Sequence, residues 1–382
     1  MTDHGEPCTC CHAAAALATD GGQPDPAHVA TLLEGLPNNW GRWGDDDERG
    51  TLNLLGSAEA AAGMRAALLE GDDDVERFTL GLPMTGETIP EDEPEAAGDP
   101  AFPGRGAARR DNLFDERSYR DGEREPLTGM RFSDDRFVTP FYLQGTTHLD
   151  ALGHAWYGDE LYNGFDPVET ARVKRFDRAE TGIGGEDVVE TRGHEKLSIA
   201  PLADVGLAGR GVLLDVGRAH DDGDENGRLP LETEIGLADL EATADAQGVE
   251  VRERDILLVR TGSMGRTRDP EAAWNPTKEA GLVFSKALVE WVHDRDLALL
   301  GADNIGVEKV TQRVDGETYV LPLHGAFLRN LGLPLAELLW LDDLAAACAD
   351  DGVYEFLFTA APLHVQRATG GPVNPVVLKA SD

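Results

Sequence analysis

GVLLDV at Gly211–Val216, GLADLEATADAQG at Gly236–Gly248 and DILLVRTG at Asp255–Gly262 read in succession as strand, helix and strand. Alternation of short apolar β runs with helical patterns predicts an α/β layered fold. Downstream, Val283, Phe284, Ala287, Leu288, Trp291 and Val292 recur at helical spacing, so Val283–Val292 predicts an amphipathic helix. LALLGA at Leu297–Ala302 and YEFLFTAA at Tyr354–Ala361 predict two further strands. Upstream, Ser57–Glu70 predicts a helix with Ser57 as N-cap and Gly71 just past its end. RFTLGLP at Arg77–Pro83 and RFVTPFYL at Arg136–Leu143 predict strands. The closing GGPVNPVVL, Gly370–Leu378, predicts an edge segment, because its two prolines cannot donate to a central ladder.

The chain has 382 residues, 41% hydrophobic and 27% charged, which excludes collagenous and wholly disordered classes. Its longest apolar runs, such as Ala13–Ala18 and Leu297–Leu300, fall far short of the ~18 residues that a membrane helix needs. No Lys or Arg precedes Arg42, so a secretory start is not expected and a cytoplasmic location is. Residues 1–35 read as a tail and short helix, and 36–382 as one catalytic domain. Within it, Gly86–Gly129 is rich in Pro, Gly and charge, which predicts a long loop or arm able to cover a site or reach a partner subunit.

Seventy-one acids against 34 bases give a net charge of -37. Nucleic acid and anionic membrane faces are therefore excluded as partners, since both require clustered cations. Six bases are Lys and the rest Arg, and acids gather in runs such as Asp45–Glu48, a composition suited to a salt-rich cytoplasm. Four cysteines are too few to staple the chain. Cys8, Cys10 and Cys11 beside His12 are too tightly spaced for the usual zinc pairs and read as part of a frayed tail; Cys348 reads as an apolar filler.

Several chemistries lack their residues. There is no P-loop Gly-Lys pair, and Ser263 in TGSMG lacks the preceding glycine of a nucleophile elbow. GLAGRG at Gly206–Gly211 has its glycines in the reverse order of a dinucleotide fingerprint and reads as a turn.

What remains is FYLQGTTHLDALGHAWYGDELYNG, Phe141–Gly164. If this segment is extended, His148 and Asp150 point to one face, where both can reach one metal ion. His154, beyond a small-residue bend at Ala151–Gly153, can return to the same pocket and exchange protons near neutrality. The alternative is a pair of hydrogen-bonded structural histidines beside a surface aspartate.

Thr147–His154, T-H-L-D-A-L-G-H, resembles the motif of the cyclase family whose known members include kynurenine formamidase and isatin hydrolase. NWGRWGDDDERGTLNLL, GDELYNG, RDILLVRTG, LGADNIGVE, LPLHGAFLRNLGLPLAELLWLDDLA and GVYEFLFTAAPL with GGPVNP extend the likeness over most of the chain. The resemblance implies a swivelling β/β/α domain with mixed sheets flanked by helices, usually assembled as a homodimer or homotetramer. It implies that His148, Asp150, His324 and Glu337 ligate one or two divalent ions, Zn or Mn, and that His154 is the catalytic acid/base. The family has a His where this chain has Gln144. A carboxamide oxygen can ligate, but more weakly, which shifts preference from Zn towards Mn or leaves one ion loosely held.

The implied activity is hydrolysis of a small amide, an aryl formamide such as N-formylkynurenine, by metal-activated water. Ring closure or dehydration of a polyketide-like substrate, and metal binding without hydrolysis, are the alternatives. Tyr142 and Trp156, with Tyr157 and Trp43, are candidates for an aromatic wall around the substrate; Asp303 and Asn304 are assigned a supporting role. A carboxylate inside the apolar run PLAELLWL is costly to bury unless paired or metal-bound, which favours the role that the resemblance implies for Glu337 over a structural one.

The charge makes a prediction of its own. At molar salt the Debye length is about 3 Å and self-repulsion is screened. The melting temperature is expected to fall as salt is removed; a salt-independent value contradicts the salt-adapted reading.

Overall fold

A computed structural model describes residues 26–68, 74–89, 97–100, 105–176 and 190–381. Nine strands build its main sheet: Val75–Thr79 (β1), His148–Asp150 (β2), Leu207–Asp215 (β3), Ile256–Arg260 (β4), Leu299–Ala302 (β5), Leu335–Glu337 (β6), Glu355–Ala360 (β7), Gly370–Pro372 (β8) and Val376–Ala380 (β9). Their order is β1-β9-β7-β3-β4-β5-β6-β2-β8. The central strands β3, β4, β5 and β6 run parallel. Every pairing outside them is antiparallel, so the sheet is mixed.

The parallel strands carry continuous apolar runs because helices cover both faces of the sheet. Val212, Leu214, Leu257, Val259, Leu300 and Leu335 enter one core with the helices Leu237–Gln247 and Lys286–Asp294. Leu213, Ile256, Leu258, Leu299 and Ala336 enter the other, with Phe356, Phe358, Val377 and the helix Asp342–Asp351. The switch at each successive residue is the period-2 alternation of a strand. Arg260 links the layers, pairing with Asp215 at 2.7 Å and with Asp342 at 2.7 Å.

β8 and β9 sit towards opposite ends of the strand order, yet only residues 373–375 separate them. The sheet must therefore curl. Leu80, just past β1, donates to Pro375 O at 2.9 Å, and Leu82 N donates to Thr147 Oγ1 at 2.7 Å beside β2. This curl brings the C-terminal segment against the strand that carries His148 and Asp150.

Several elements differ from the sequence reading for identifiable reasons. Of GGPVNPVVL only Gly370–Pro372 is an edge strand; β9 lies between β1 and β7, clear of the two prolines. The expected turn GLAGRG belongs to β3 from Leu207 onward. RFVTPFYL is a strand only as far as Phe137, because Pro140 interrupts the ladder. Asp134–Phe137 pairs instead with Arg110–Phe114, so the expected arm holds one strand of an exposed ribbon and the helix Glu116–Arg120, and the second strand lies just beyond it. The helix starting at Ser57 is capped by Gly56, whose N–H is held by Glu59, and ends at Ala66. The strand at Arg77 spans Val75–Thr79. The helix expected at Val283 begins at Lys286, where Ser285 Oγ accepts from Leu288 N at 3.1 Å. Pro26–Leu32 is helical, whereas the Cys8, Cys10, Cys11 and His12 cluster lies outside the described residues. Cys348 is buried in the core.

The helix Ser57–Ala66 approaches β3 closely because two glycines meet there. A Cβ on Gly63 would lie 2.5 Å from Gly209 O and 2.7 Å from Leu357 Cδ1. Helix propensity alone favours Ala over Gly by roughly 1 kcal/mol, but overpacking costs about 1–3 kcal/mol. Gly63→Ala is therefore expected to destabilise the protein, lowering its denaturant midpoint; a raised midpoint contradicts this packing.

Candidate metal centre

Two adjacent antiparallel strands place the principal groups. In β2, His148 and Asp150 share one face while Leu149 points into the core. In β6, Glu337 stands directly opposite His148 in the ladder, and Leu335 opposite Asp150. The ligating atoms of His148, Asp150 and Glu337 all lie within 4.8 Å of one another, and all three residues are buried. His324 arrives from the segment preceding β6. Leu321 turns the chain through φ +49°, Pro322–His324 forms a helical turn, and the π-helical stretch Gly325–Leu331 leads back to β6. π-helical turns are frequent at functional sites.

Each carboxylate faces both imidazoles. His148 Nε2 lies 3.4 Å from Asp150 Oδ1 and 3.2 Å from Glu337 Oε2. His324 Nε2 lies 3.9 Å from Asp150 Oδ2 and 3.3 Å from Glu337 Oε1. Both Asp150 oxygens and Glu337 Oε1 are buried without a hydrogen-bond partner. Orphaned buried carboxylate oxygens converging with imidazole nitrogens are the donor set that a divalent cation takes, so the residues present fit a metal.

The far side of each imidazole is fixed. His148 Nδ1 lies 2.7 Å from Thr146 O, a carbonyl that can only accept, so Nδ1 carries the proton and Nε2 turns to the carboxylates. His324 Nδ1 lies 2.8 Å from Glu308 Oε1, and Glu308 also accepts from the backbone N–H of Leu323 and of His324, at 2.9 and 2.7 Å. A carboxylate behind a ligating histidine fixes its tautomer and raises its basicity. Glu308 has no role in the sequence reading, although it stands in LGADNIGVE and is as buried as Glu337. Its neighbours Val307 and Lys309 gave no signal like the apolar run around Glu337.

His154 lies just past the bend. Its Nε2 is 3.7 Å from Asp150 Oδ2, and its side chain retains 29% exposure, so it meets both the carboxylate and the opening of the site. Burial lowers its pKa against the attraction of Asp150. Gln144 does not turn to the carboxylates: its Nε2 lies 3.4 Å from His154 Nδ1 and 3.4 Å from Thr369 Oγ1. Tyr142 is half-buried, with the Arg105 guanidinium 5.7 Å from its ring centre. Trp156 is 43% exposed, its ring centre 6.2 Å from that of His194. Tyr157 is held by a 2.8 Å bond to Asn330 and Trp43 stacks beside Arg42, which are packing roles. Asp303 accepts from Thr261 N and Gly262 N, fastening the loop after β4, and Asn304 donates to Ala280 O.

Burial opposes protonation of His148, but Asp150 and Glu337 outweigh it and hold the imidazolium up to about 10. Burial likewise opposes protonation of His324, and Glu308 and Glu337 hold it well above the ordinary histidine value. Burial alone would raise Asp150; His154 and His148 pull it down to about 2. A raised histidine pKa contributes stability that is complete below the unfolded value of 6.5 and lost as pH rises through about 10. The chelator-stripped protein is therefore expected to lose melting temperature across that window. Added Zn or Mn must displace these protons, so its stabilising effect is expected to grow with pH over the same range. Thermal melts with and without metal check this; a metal effect independent of pH contradicts it.

The geometry can be set beside known proteins. The family model described as "Putative cyclase" matches residues 122–309. A solved structure described as a novel cyclase is 31% identical, with a TM-score of 0.67 over 89% of this chain and 97% of its own. Isatin hydrolase A from Labrenzia aggregata, bound to benzyl benzoate, is 15% identical with a TM-score of 0.48 over 80% of this chain and 94% of its own. An isatin hydrolase bound to thioisatinate is 19% identical with a TM-score of 0.47 over 85% and 99%. No curated protein matches the sequence. The 31% identity, sustained over nearly the whole length of the solved cyclase, establishes that this chain belongs to the cyclase family.

Proposed function

We propose that the protein is a metal-dependent hydrolase of a small amide, with aryl formamides such as N-formylkynurenine as its substrate class. The observation that carries this reading is the convergence of His148, Asp150, His324 and Glu337, with buried oxygens lacking partners, beside a partly exposed histidine outside the tightest ligand group. His148, Asp150, His324 and Glu337 would hold the ion. A divalent ion there supplies a Lewis acid for the substrate carbonyl and makes a water acidic enough to attack near neutral pH.

The chain's own residues supply the rest. Thr146 O and Glu308 fix the two ligand imidazoles, so their Nε2 atoms need no reorientation when the site fills. His154 takes a proton at one ring nitrogen during attack and returns it to the departing amine. Its lowered pKa keeps the imidazole neutral, and so available as a base, at neutral pH. Asp150, 3.7 Å away, stabilises the imidazolium once it forms. Tyr142, half-buried, and Trp156, 43% exposed, would supply aromatic surface for a planar substrate. The choice of formamides rests on the resemblance of Thr147–His154 to the motif of the cyclase family, whose members include kynurenine formamidase.

His154→Ala is expected to lower kcat for an aryl formamide by about 10² to 10⁴ while leaving metal content unchanged. Metal analysis together with a hydrolysis assay on both proteins checks this. Bound metal with no turnover in either protein overturns the hydrolase reading in favour of ring closure or metal binding alone.

A further inference from the structure

Glu308 can aim His324 only if it is itself held from outside the segment it aims. Four donors face its buried carboxylate, and three of them, Leu323 N, His324 N and His324 Nδ1, belong to that segment. The fourth is Gln312 Nε2, 2.5 Å from Glu308 Oε2. Gln312 is only 3% exposed, and its amide is engaged at both ends. Oε1 accepts from Phe284 N at 2.6 Å, while Nε2 faces Glu308, Lys309 O at 3.1 Å and Leu282 O at 3.5 Å, all of them acceptors. A carboxamide satisfies that set and a carboxylate does not.

The backbone around the pair needs such an anchor. Val307, the residue before Glu308, has φ +59°, and Leu321, shortly before His324, has φ +49°. Residues other than glycine seldom occupy this left-handed region, β-branched ones least of all, and they stay there only where the surroundings over-determine it. An antiparallel hairpin, Thr311–Val314 with Glu317–Val320, closes between these two positions, and at its base Leu321 N donates to Val310 O at 3.0 Å. Glu308 and His324 thus flank the two legs of one hairpin. From its first strand the Gln312 side chain spans to Glu308 on one side and to the backbone of Phe284 on the other.

We propose that Gln312 is a positioning residue of the metal centre: it holds Glu308 and through it aims His324 Nε2 at Glu337, so that its loss weakens metal binding although none of its hydrogen bonds reaches a ligand. Only the metal-binding part of the hydrolase reading is required, not its substrate. Zn affinity of the metal-stripped full chain is measured by competition with a chromophoric chelator. Gln312→Met keeps the volume and removes both polar ends; Gln312→Asn keeps the amide but withdraws it by one methylene, a milder lesion should the first not fold. Either is expected to weaken Zn binding about tenfold. Glu308→Ala should weaken it at least as much, and adding the Gln312 substitution to Glu308→Ala should cost nothing more, because the two residues act in series. A residue that merely stabilises the hairpin would lower the melting temperature of the metal-free protein and leave the affinity in place. Unchanged affinity in the folded variants, or an equal loss with and without Glu308, overturns the proposal.

The His324 Nδ1 proton gives a second readout that needs no metal. Held against Glu308 and out of water, it should appear as a downfield proton NMR signal in the metal-free protein. That signal should be absent from His324→Gln and shifted or broadened in the Gln312 variants. If wild type takes up no Zn, the metal-centre reading fails and this signal still decides: a displaced signal supports the role of Gln312, and an unmoved or missing one overturns it.

Discussion

Two carboxylates buried side by side are the constraint around which the rest of the site is arranged. Asp150 and Glu337 lie on neighbouring strands, both essentially without solvent contact. Charges in such a position are costly unless cations face them, and removing one partner strands the other. His148 and His324 each face one oxygen of both acids. The metal-free arrangement is therefore a set of imidazolium–carboxylate pairs, and the same atoms become a metal's donor set when the protons leave. One geometry serves both states, and pH and metal act on it as competitors.

Holding that geometry requires rigid strands, which explains the topology around it. β2 is only three residues long, too short to be stable alone. It is pinned between β6 and β8, and the curl of the sheet brings Val373 N to Thr147 O at 3.0 Å. Glu308 adds a second restraint by accepting from both the backbone and the ring of His324. With the Leu323 N–H and Gln312 Nε2 this buried acid faces four donors, which makes it a positioning device, and its loss would free His324 to rotate away from Glu337.

The sequence was most legible where burial is symmetrical. Gly211–Val216, Asp255–Gly262 and Leu297–Ala302 are apolar on both faces, because helices cover both, and their assignment as strands survives in β3, β4 and β5. The i, i+2 spacing of His148 and Asp150 likewise read directly as one face of a strand. Glu337 was reached through the family resemblance and supported by its apolar surroundings, but its placement opposite His148 was not legible, because ladder register depends on strands almost 190 residues apart in the chain. Local pattern also failed where the curl decides pairing. Val376–Ala380 follows two prolines and yet joins the sheet interior, since both prolines precede its ladder.

Gln144 shows how one neutral residue alters the balance of the site. A Cβ at Gly370 would lie 2.7 Å from Gln144 Nε2 and 3.0 Å from Leu149 O, so the edge strand leaves room for the carboxamide only because glycine stands there. Held in that space, the amide meets His154 Nδ1 and Thr369 Oγ1, on the side of His154 away from Asp150. An imidazole fixed on one side by an uncharged partner can change protonation without a compensating charge moving nearby. A carboxylate in place of Gln144 would hold the proton on His154 and weaken it as an acid. Keeping the excess negative charge on Asp150, Glu308 and Glu337, and a neutral group behind His154, separates cation binding from proton transfer within a few ångströms.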